Sequence, residues 1–462
     1  MMRAFSLAEA KNWLGAECPS GDPASVSFTG VSTDTRTLEQ GQLFVALRGE
    51  NFDGHRFLQQ ALDKGAVALV VDTSDSSVDL PQLVVGDTLE ALARLAEGNR
   101  EESKAGILAI TGSSGKTTVK EMCAAILSQM GKTLSTKGNL NNHIGVPLTL
   151  FGLSPEHRYG VIELGASGLG EIAHTVALAK PRVAILTNAG EAHLEGFGSY
   201  ENIVLAKGEI IDGVAADGLM VLNRDDPAFD QWKKRAGARR VAGVSRLGAE
   251  ADYHAVIESQ GAGSRIVQVS GPDGWHCRVS LGLEGDHNIT NMMLAIAATR
   301  ELGASDQAIV DGLASVAPVQ GRLQVLKLSP EMTLIDDSYN ANPSSMKAAL
   351  GVLAGREGHK IAVLGAMAEL GAEARALHRE VGTCAREHGI DRLIAVGAGC
   401  EGYADGFGES TELGLSHEAA IESIVGAKNT PLTVLVKGSR SSAMERVVEG
   451  IKEKVNNSCC SG

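Results

Sequence analysis

The chain has 462 residues, more than one ordinary core accommodates, which predicts about three domains. No apolar run of about 18 residues exists to span a membrane, and the opening MMRAFSLAEAKNW lacks an apolar signal core, so a cytoplasmic protein without membrane insertion is expected. A net charge of −14 argues against broad binding to nucleic acid, which needs a basic face, but leaves room for a local phosphate pocket.

Residues 1–85 read as a small α/β unit, ending where a strand at 80–85 gives way to the helix DTLEALARLAEGN. Its densest polar cluster is VSTDTR at 31–36, followed by a strand at 42–47 and a helix at 57–64. Ser32, Thr33, Asp34, Arg36 and Arg48 could hold a polar, phosphorylated ligand, or could form only a hydrogen-bonded turn with a surface Asp/Arg pair.

Residues 86–321 alternate apolar runs with helical patterns, and the runs at 107–110, 161–164, 183–186 and 219–222 predict parallel strands of a doubly wound sheet. Ligands of such sheets sit beyond the carboxyl ends of the strands. The stretch AITGSSGKTTVKEMCAAILSQM at 109–130 joins a strand, a glycine-bounded loop and a helix whose Val119, Met122, Cys123, Ile126, Leu127 and Met130 form one apolar face. Gly112, Ser113, Ser114 and Gly115 are small enough for successive backbone N–H groups to close around phosphate oxygens at the helix start. Lys116 would neutralise the outer phosphates and the Thr117 hydroxyl would reach a magnesium ion. The pattern departs from GxxxxGK[ST] at its first glycine, where Ile110 stands.

Three residues follow other strand ends. Glu163 needs a positive partner there, either magnesium or a structural ion pair. His193 lies in the loop AGEAHLEGFGS, where a lone histidine is more often an ordinary surface residue. Lys207 shares helical spacing with Ile203, Ile210 and Ile211 and so faces inward with them, which requires it to be paired or neutral. A neutral amine could add carbon dioxide to give a carbamate. Short β runs between 240 and 284 predict an antiparallel flap, and GDHNITN then opens an Ala-rich helix whose His287 and Asn288 are capping groups or contacts to a base edge.

Residues 322–462 repeat strand then helix four times: 333–335 with a helix from Ser344, 361–364 with one from Glu373, 393–396 with one from Ser416, and 432–436 with one from Ser442. This predicts a Rossmann-like domain without GxGxxG, so not a nicotinamide site. Its first strand ends in DDSYNANP, whose paired carboxylates just after the junction residue Arg322 look like ligand contacts. Seven scattered cysteines without CxxC spacing predict reduced thiols, with Cys459 and Cys460 in a fraying polar tail.

The combination TGSSGKTT, IELGAS, NAGEAHLEGFGS, LAKGEI, GDHNITN, GRLQ and DDSYNANP resembles the Mur ligases, ATP-dependent amide-forming enzymes of peptidoglycan precursor synthesis. NLNNHIGVPLT, DDSYNANPSSM and LVKGSRSSAMERVV are most similar to the step that joins D-alanyl-D-alanine to UDP-N-acetylmuramoyl-tripeptide. The resemblance implies an α/β protein of three domains: a UDP-sugar domain (1–85), a central P-loop ligase domain with the flap (86–321) and a C-terminal Rossmann-like domain for the incoming dipeptide (322–462). It implies ATP and magnesium, with Gly112, Ser113, Ser114, Gly115, Lys116, Thr117 and Thr118 around the phosphates, Asn288 on adenine, and Arg322 and Asp337 reaching the nucleotide. Thr117, Glu163, His193 and Lys207 match the metal positions, with two magnesium sites and a carbamylated Lys207. Ser32, Thr33, Asp34 and Arg36 match the uridine-diphosphate end of the substrate, Asn141 and Asn142 the muramoyl peptide, and Tyr339, Asn340, Lys437 and Arg440 further substrate contacts. A monomer hinged near Gly321 and Arg322 is expected. The alternatives are another amino-acid ligase of the same mechanism, of the tripeptide-forming or folylpolyglutamate type, a P-loop small-molecule kinase, or a nucleotide-gated scaffold.

Overall fold

The computed structural model describes residues 2–19, 22–49, 51–261, 264–427 and 431–459, arranged as three α/β domains. The first holds a four-stranded parallel sheet in the order β1 (Val31–Ser32), β2 (Leu43–Val45), β3 (Ala68–Val71), β4 (Gln82–Val84). Helix α1 (Thr88–Glu102) follows, started by the Asp87 carboxylate, which accepts from the N–H groups of Leu89 and Glu90. Its buried Leu92 and Leu95 belong to one core that also contains Phe5, Phe28, Leu150 and Ile172, so the helix is shared between the first two domains. Each such leucine contributes about 1.5–3 kcal/mol, enough for α1 to fix one domain against the other.

The central domain is built on nine strands: β5 (Gly106–Thr111), β6 (Thr133–Ser135), β7 (Tyr159–Glu163), β8 (Val183–Leu186), β9 (Leu219–Asn223), β10 (Arg240–Ser245), β11 (Tyr253–Gly261), β12 (Ser264–Ser270) and β13 (His276–Leu281). Their order is β6-β7-β5-β8-β9-β10-β11-β12-β13, which puts β5 between two parallel neighbours. The predicted flap is corrected in part. Strand β10 runs parallel to β9, and β11 enters parallel to β10; only the pairs β11–β12 and β12–β13 are antiparallel. The reason lies in burial. Residues 242–245 of β10 are continuously buried, as inner parallel strands are, whereas β12 and β13 alternate buried and open positions, as a half-solvated antiparallel ribbon does.

The third domain has six strands in the order β14-β15-β19-β16-β17-β18: β14 (Gln324–Ser329), β15 (Met332–Asp337), β16 (His359–Gly365), β17 (Arg392–Val396), β18 (Glu412–Leu415) and β19 (Leu432–Lys437). All four predicted strands are present and parallel, with two additions. Strand β14 pairs antiparallel with β15, and a helix at Glu401–Phe407 and the edge strand β18 intervene before the helix at His417–Val425. Both added strands are mostly half-exposed and lack alternation, so neither leaves a period in the sequence.

Cys123, Cys277, Cys384 and Cys400 are free thiols. The final helix runs from Glu445 to Cys459, further than a fraying tail would, and Cys460 lies outside the described residues. Among the described residues, no helix is long and apolar enough to cross a membrane.

Candidate active site

Strand β5 ends at Thr111, whose hydroxyl donates to the Leu164 carbonyl at 2.7 Å, and the chain turns sharply into α2 (Lys116–Ser128). The turn depends on Gly112 and Gly115, at φ +144° and +79°. A Cβ on Gly112 would lie 2.0 Å from Thr187 Oγ1, and one on Gly115 would lie 2.7 Å from Asn291 Oδ1. Residues after β8 clamp the loop. Ser113 N–H donates to the Asn188 carbonyl at 3.0 Å, Ser114 N–H to Asn188 Oδ1 at 3.0 Å, and Thr187 Oγ1 to the Ser114 carbonyl at 2.6 Å. Gly112→Ala therefore combines left-side backbone strain with overpacking. It is expected to destabilise the protein by about 1–3 kcal/mol, seen as a lowered unfolding midpoint, and to lose the ligand-induced rise in that midpoint on adding ADP.

Lys116 folds back over this loop, its Nζ donating to the Gly112 carbonyl at 2.7 Å. Burial pulls its pKa below the usual lysine range; Glu163 opposes that shift and Arg322 adds to it. Glu163, at the end of β7, is 2% exposed and held by neutral donors: Thr117 Oγ1 at 3.0 Å on Oε2 and Asn141 Nδ2 at 2.9 Å on Oε1. Its own N–H donates to Thr136 Oγ1 at 3.0 Å. Among the described residues no cation is in ion-pair contact with Glu163, so the structural ion pair considered from sequence is not what holds it. The Thr117 and Glu163 oxygens fit a hard divalent cation that takes its remaining ligands from phosphate and water. The described residues contain no cluster of three His, Cys, Asp or Glu side chains that would cage a metal unaided.

Lys207 faces inward as its spacing predicts, on the helix Tyr200–Asp212 with Ile203, Ile210 and Ile211. It is 2% exposed, donates to the Ala166 carbonyl at 3.2 Å and stands 5.0 Å from the Phe197 ring. Burial, reinforced by the nearby Lys116 charge, lowers its pKa to about 7, with Glu171 and Glu209 resisting. His193 is no isolated surface histidine. Its Nδ1 is hydrogen-bonded to Glu369 of the third domain.

Thr118, Asn288 and Arg322, three of the residues predicted on ATP, line one cavity of ≈ 180 Å³ together with Glu121, Leu283 and Glu284. Asn288 neither caps its helix nor points free: Nδ2 donates to the Glu284 carbonyl at 2.6 Å, and Oδ1 accepts from Asn291 Nδ2 at 2.9 Å. The Arg322 guanidinium lies 4.4 Å from the centre of the Tyr339 ring. Asp337 accepts from Leu323 N–H at 3.0 Å and pairs with Lys437 at 2.6 Å. Burial pushes the Asp337 carboxyl up and Lys437 draws it back. Lys437 is itself 2% exposed and also donates to the Asn340 carbonyl at 2.8 Å, so its charge is committed to the end of β15. Arg440 is open to solvent and paired with Glu445 at 3.1 Å.

In the first domain, Asp34 accepts from Arg36 Nη2 at 2.6 Å and from its backbone N–H at 2.9 Å, while Ser32 Oγ donates to the Asp34 carbonyl at 3.1 Å. Thr33 is partly buried in the same turn. This is the hydrogen-bonded turn with a surface Asp/Arg pair, and these residues form a cluster of their own away from the glycine loop. Asn142 lies just before the helix Gly145–Leu150, its Oδ1 accepting from Gly145 N–H at 2.8 Å. Sequence reasoning did not single out Thr136, Thr187, Asn188 or Glu369. Asn188 could have been found, because it directly follows a predicted strand; Glu369 could not, because its contact bridges domains.

Profiles of the Mur ligase family match three stretches: its catalytic domain at residues 27–100, its middle domain at 110–299 and its glutamate ligase domain at 321–440. The chain is 44% identical to the UDP-N-acetylmuramoyl-tripeptide–D-alanyl-D-alanine ligase of Escherichia coli K12, over 99% of this chain and 100% of that one. It resembles the crystal structure of MurF from Acinetobacter baumannii with a TM-score of 0.92 at 33% identity, covering 98% of this chain and 99% of that one. The MurF ligase of Thermotoga maritima in complex with ADP gives a TM-score of 0.84 at 29% identity, with 93% and 98% covered.

Proposed function

The chain belongs to the Mur ligase family, and we propose that it joins D-alanyl-D-alanine to UDP-N-acetylmuramoyl-tripeptide with hydrolysis of ATP, in peptidoglycan precursor synthesis. The observation that carries this reading is the group of half-buried Lys116 with buried Thr117 and Glu163 at a glycine loop on the carboxyl edge of the central sheet. A nucleotide-linked substrate and ATP are what a cytoplasmic enzyme would meet, which supports a cytoplasmic reaction.

A carboxylate is a poor acyl donor, so it must first be activated. In the proposed mechanism the terminal carboxylate of the tripeptide attacks the γ-phosphorus in line, giving an acyl phosphate and ADP. Lys116 takes up charge developing on the β/γ oxygens while the N–H groups from Gly115 to Thr118, at the start of α2, orient them. The dipeptide amine then attacks the acyl carbonyl, a tetrahedral intermediate forms, and its collapse releases phosphate and leaves the amide. Magnesium at Thr117 and Glu163 would neutralise phosphate charge.

Lys207 is the proposed carbamate site: its neutral amine adds carbon dioxide, loses a proton and becomes an anion beside Lys116, replacing repulsion by attraction. With His193 it would serve a second magnesium. Thr118, Asn288 and Arg322 are assigned to the nucleotide because they line one cavity next to the loop; Asp337 holds Lys437 at its rim. The first domain, with Ser32, Thr33, Asp34 and Arg36, is assigned to the uridine diphosphate, Asn141 and Asn142 to the peptide, and the third domain, with Tyr339, Asn340 and Arg440, to the dipeptide.

Incubation with ATP, magnesium, UDP-N-acetylmuramoyl-tripeptide and D-alanyl-D-alanine is expected to give the UDP-linked pentapeptide by mass spectrometry, with one free phosphate per amide. A phosphorylated product without an amide would identify a kinase instead.

A further inference from the structure

Loop 188–193 carries the chain from β8 to a short helix at Leu194–Phe197, and this helix touches the third domain at three points. Leu194 packs on the third-domain core, Glu195 N–H donates to the Glu369 carbonyl at 3.0 Å, and His193 Nδ1 meets the Glu369 carboxylate. Both residues of the last pair have left-handed backbone, His193 at φ +57° and Glu369 at φ +59°. Such backbone is unfavourable for a side chain other than glycine and persists where the surroundings dictate it. The pair is also half-open, with 35% and 54% of the side chains exposed, so as an ion pair it adds little stability. Its effect is geometric.

We propose that Glu369 is a positioning residue for His193, so that docking of the third domain completes the central site. The carboxylate accepts a hydrogen bond from Nδ1–H, which keeps the proton on Nδ1, fixes the tautomer and leaves the lone pair on Nε2. A carboxylate behind a histidine in this way is the usual support of a metal-ligating ring. This rests on the assignment of His193 to magnesium above. It adds that the ligand is set by a residue of another domain, so separation of the domains releases the ring.

The test uses full-length protein labelled with ¹⁵N-histidine, as wild type, Glu369→Ala and Glu369→Gln, with His193→Gln to assign the signal. In metal-free wild type the His193 ring is expected as the Nδ1–H tautomer. Glu369→Ala should give mixed tautomers and raise the magnesium concentration for half-maximal amide synthesis about 10–100-fold, while Glu369→Gln, whose amide oxygen still accepts, should recover most of both. An unchanged tautomer in Glu369→Ala overturns the proposal whatever the assay gives. A changed tautomer with an unchanged magnesium requirement overturns its link to the metal. Absence of any amide product in wild type would instead count against the ligase reading, and leaves the tautomer comparison intact.

Discussion

Lys116→Ala is expected to lower amide synthesis by about a thousandfold or more while leaving the fold in place. The ammonium is positioned before nucleotide arrives: it is half-buried, tethered to the Gly112 carbonyl at 2.7 Å, and within the electrostatic reach of both Glu163 and Arg322. Little of its work is structural, because the loop is shaped by Gly112, Gly115, Thr187 and Asn188, none of which needs the lysine side chain. The loss should therefore fall on kcat rather than on ADP affinity. Lys116→Met, which keeps the volume, should behave like alanine, since the missing quantity is charge. Pentapeptide formation followed by mass spectrometry, with ADP-induced thermal shift as a folding control, checks both. Full synthesis by either variant would remove the phosphate role given to this residue.

Much of this arrangement was legible in the sequence, and what was not has identifiable causes. Continuous apolar runs marked β5, β7, β8 and β9, because inner parallel strands are buried on both faces. The same rule, applied to RVAGVS, would have placed β10 in the parallel part of the sheet rather than in a flap. Strands β14 and β18 stayed hidden, since half-exposed edge segments carry no period. Helical spacing located Lys207 inside, but spacing alone does not give its neighbours Phe197 and the Ala166 carbonyl. The partners of His193, Asp337 and Lys437 come from chain segments about 100 residues or more away or from another domain, a distance that no local pattern spans.

Half-buried Lys116 and buried Lys207 face a common difficulty: like charges near one another where water is scarce. Lys116 has a phosphate to meet, whereas Lys207 has no carboxylate in ion-pair contact among the described residues. Burial penalises its ammonium, and moving an amine from the ordinary 10.5 to about 7 corresponds to on the order of 5 kcal/mol.

The second prediction is that Lys207→Met inactivates the enzyme while making it more stable. In the unfolded chain the amine keeps its ordinary pKa, so between about pH 7 and 10.5 the unfolded state binds more protons and wild-type stability rises with pH. Below about pH 7 the full penalty of a buried ammonium is present; above about 10.5 it is gone. Methionine removes the penalty, so its gain in unfolding midpoint should be greatest at pH 6 and fade toward pH 10, measured in buffer free of carbon dioxide. With ¹³C-bicarbonate at pH 8, wild type should acquire a labelled carbamate carbon that Lys207→Met lacks, and only wild type should make pentapeptide. Equal stability of the two proteins at pH 6 would mean that the lysine is well accommodated as an ammonium. In that case carbamylation would not be needed to explain a cation at this position.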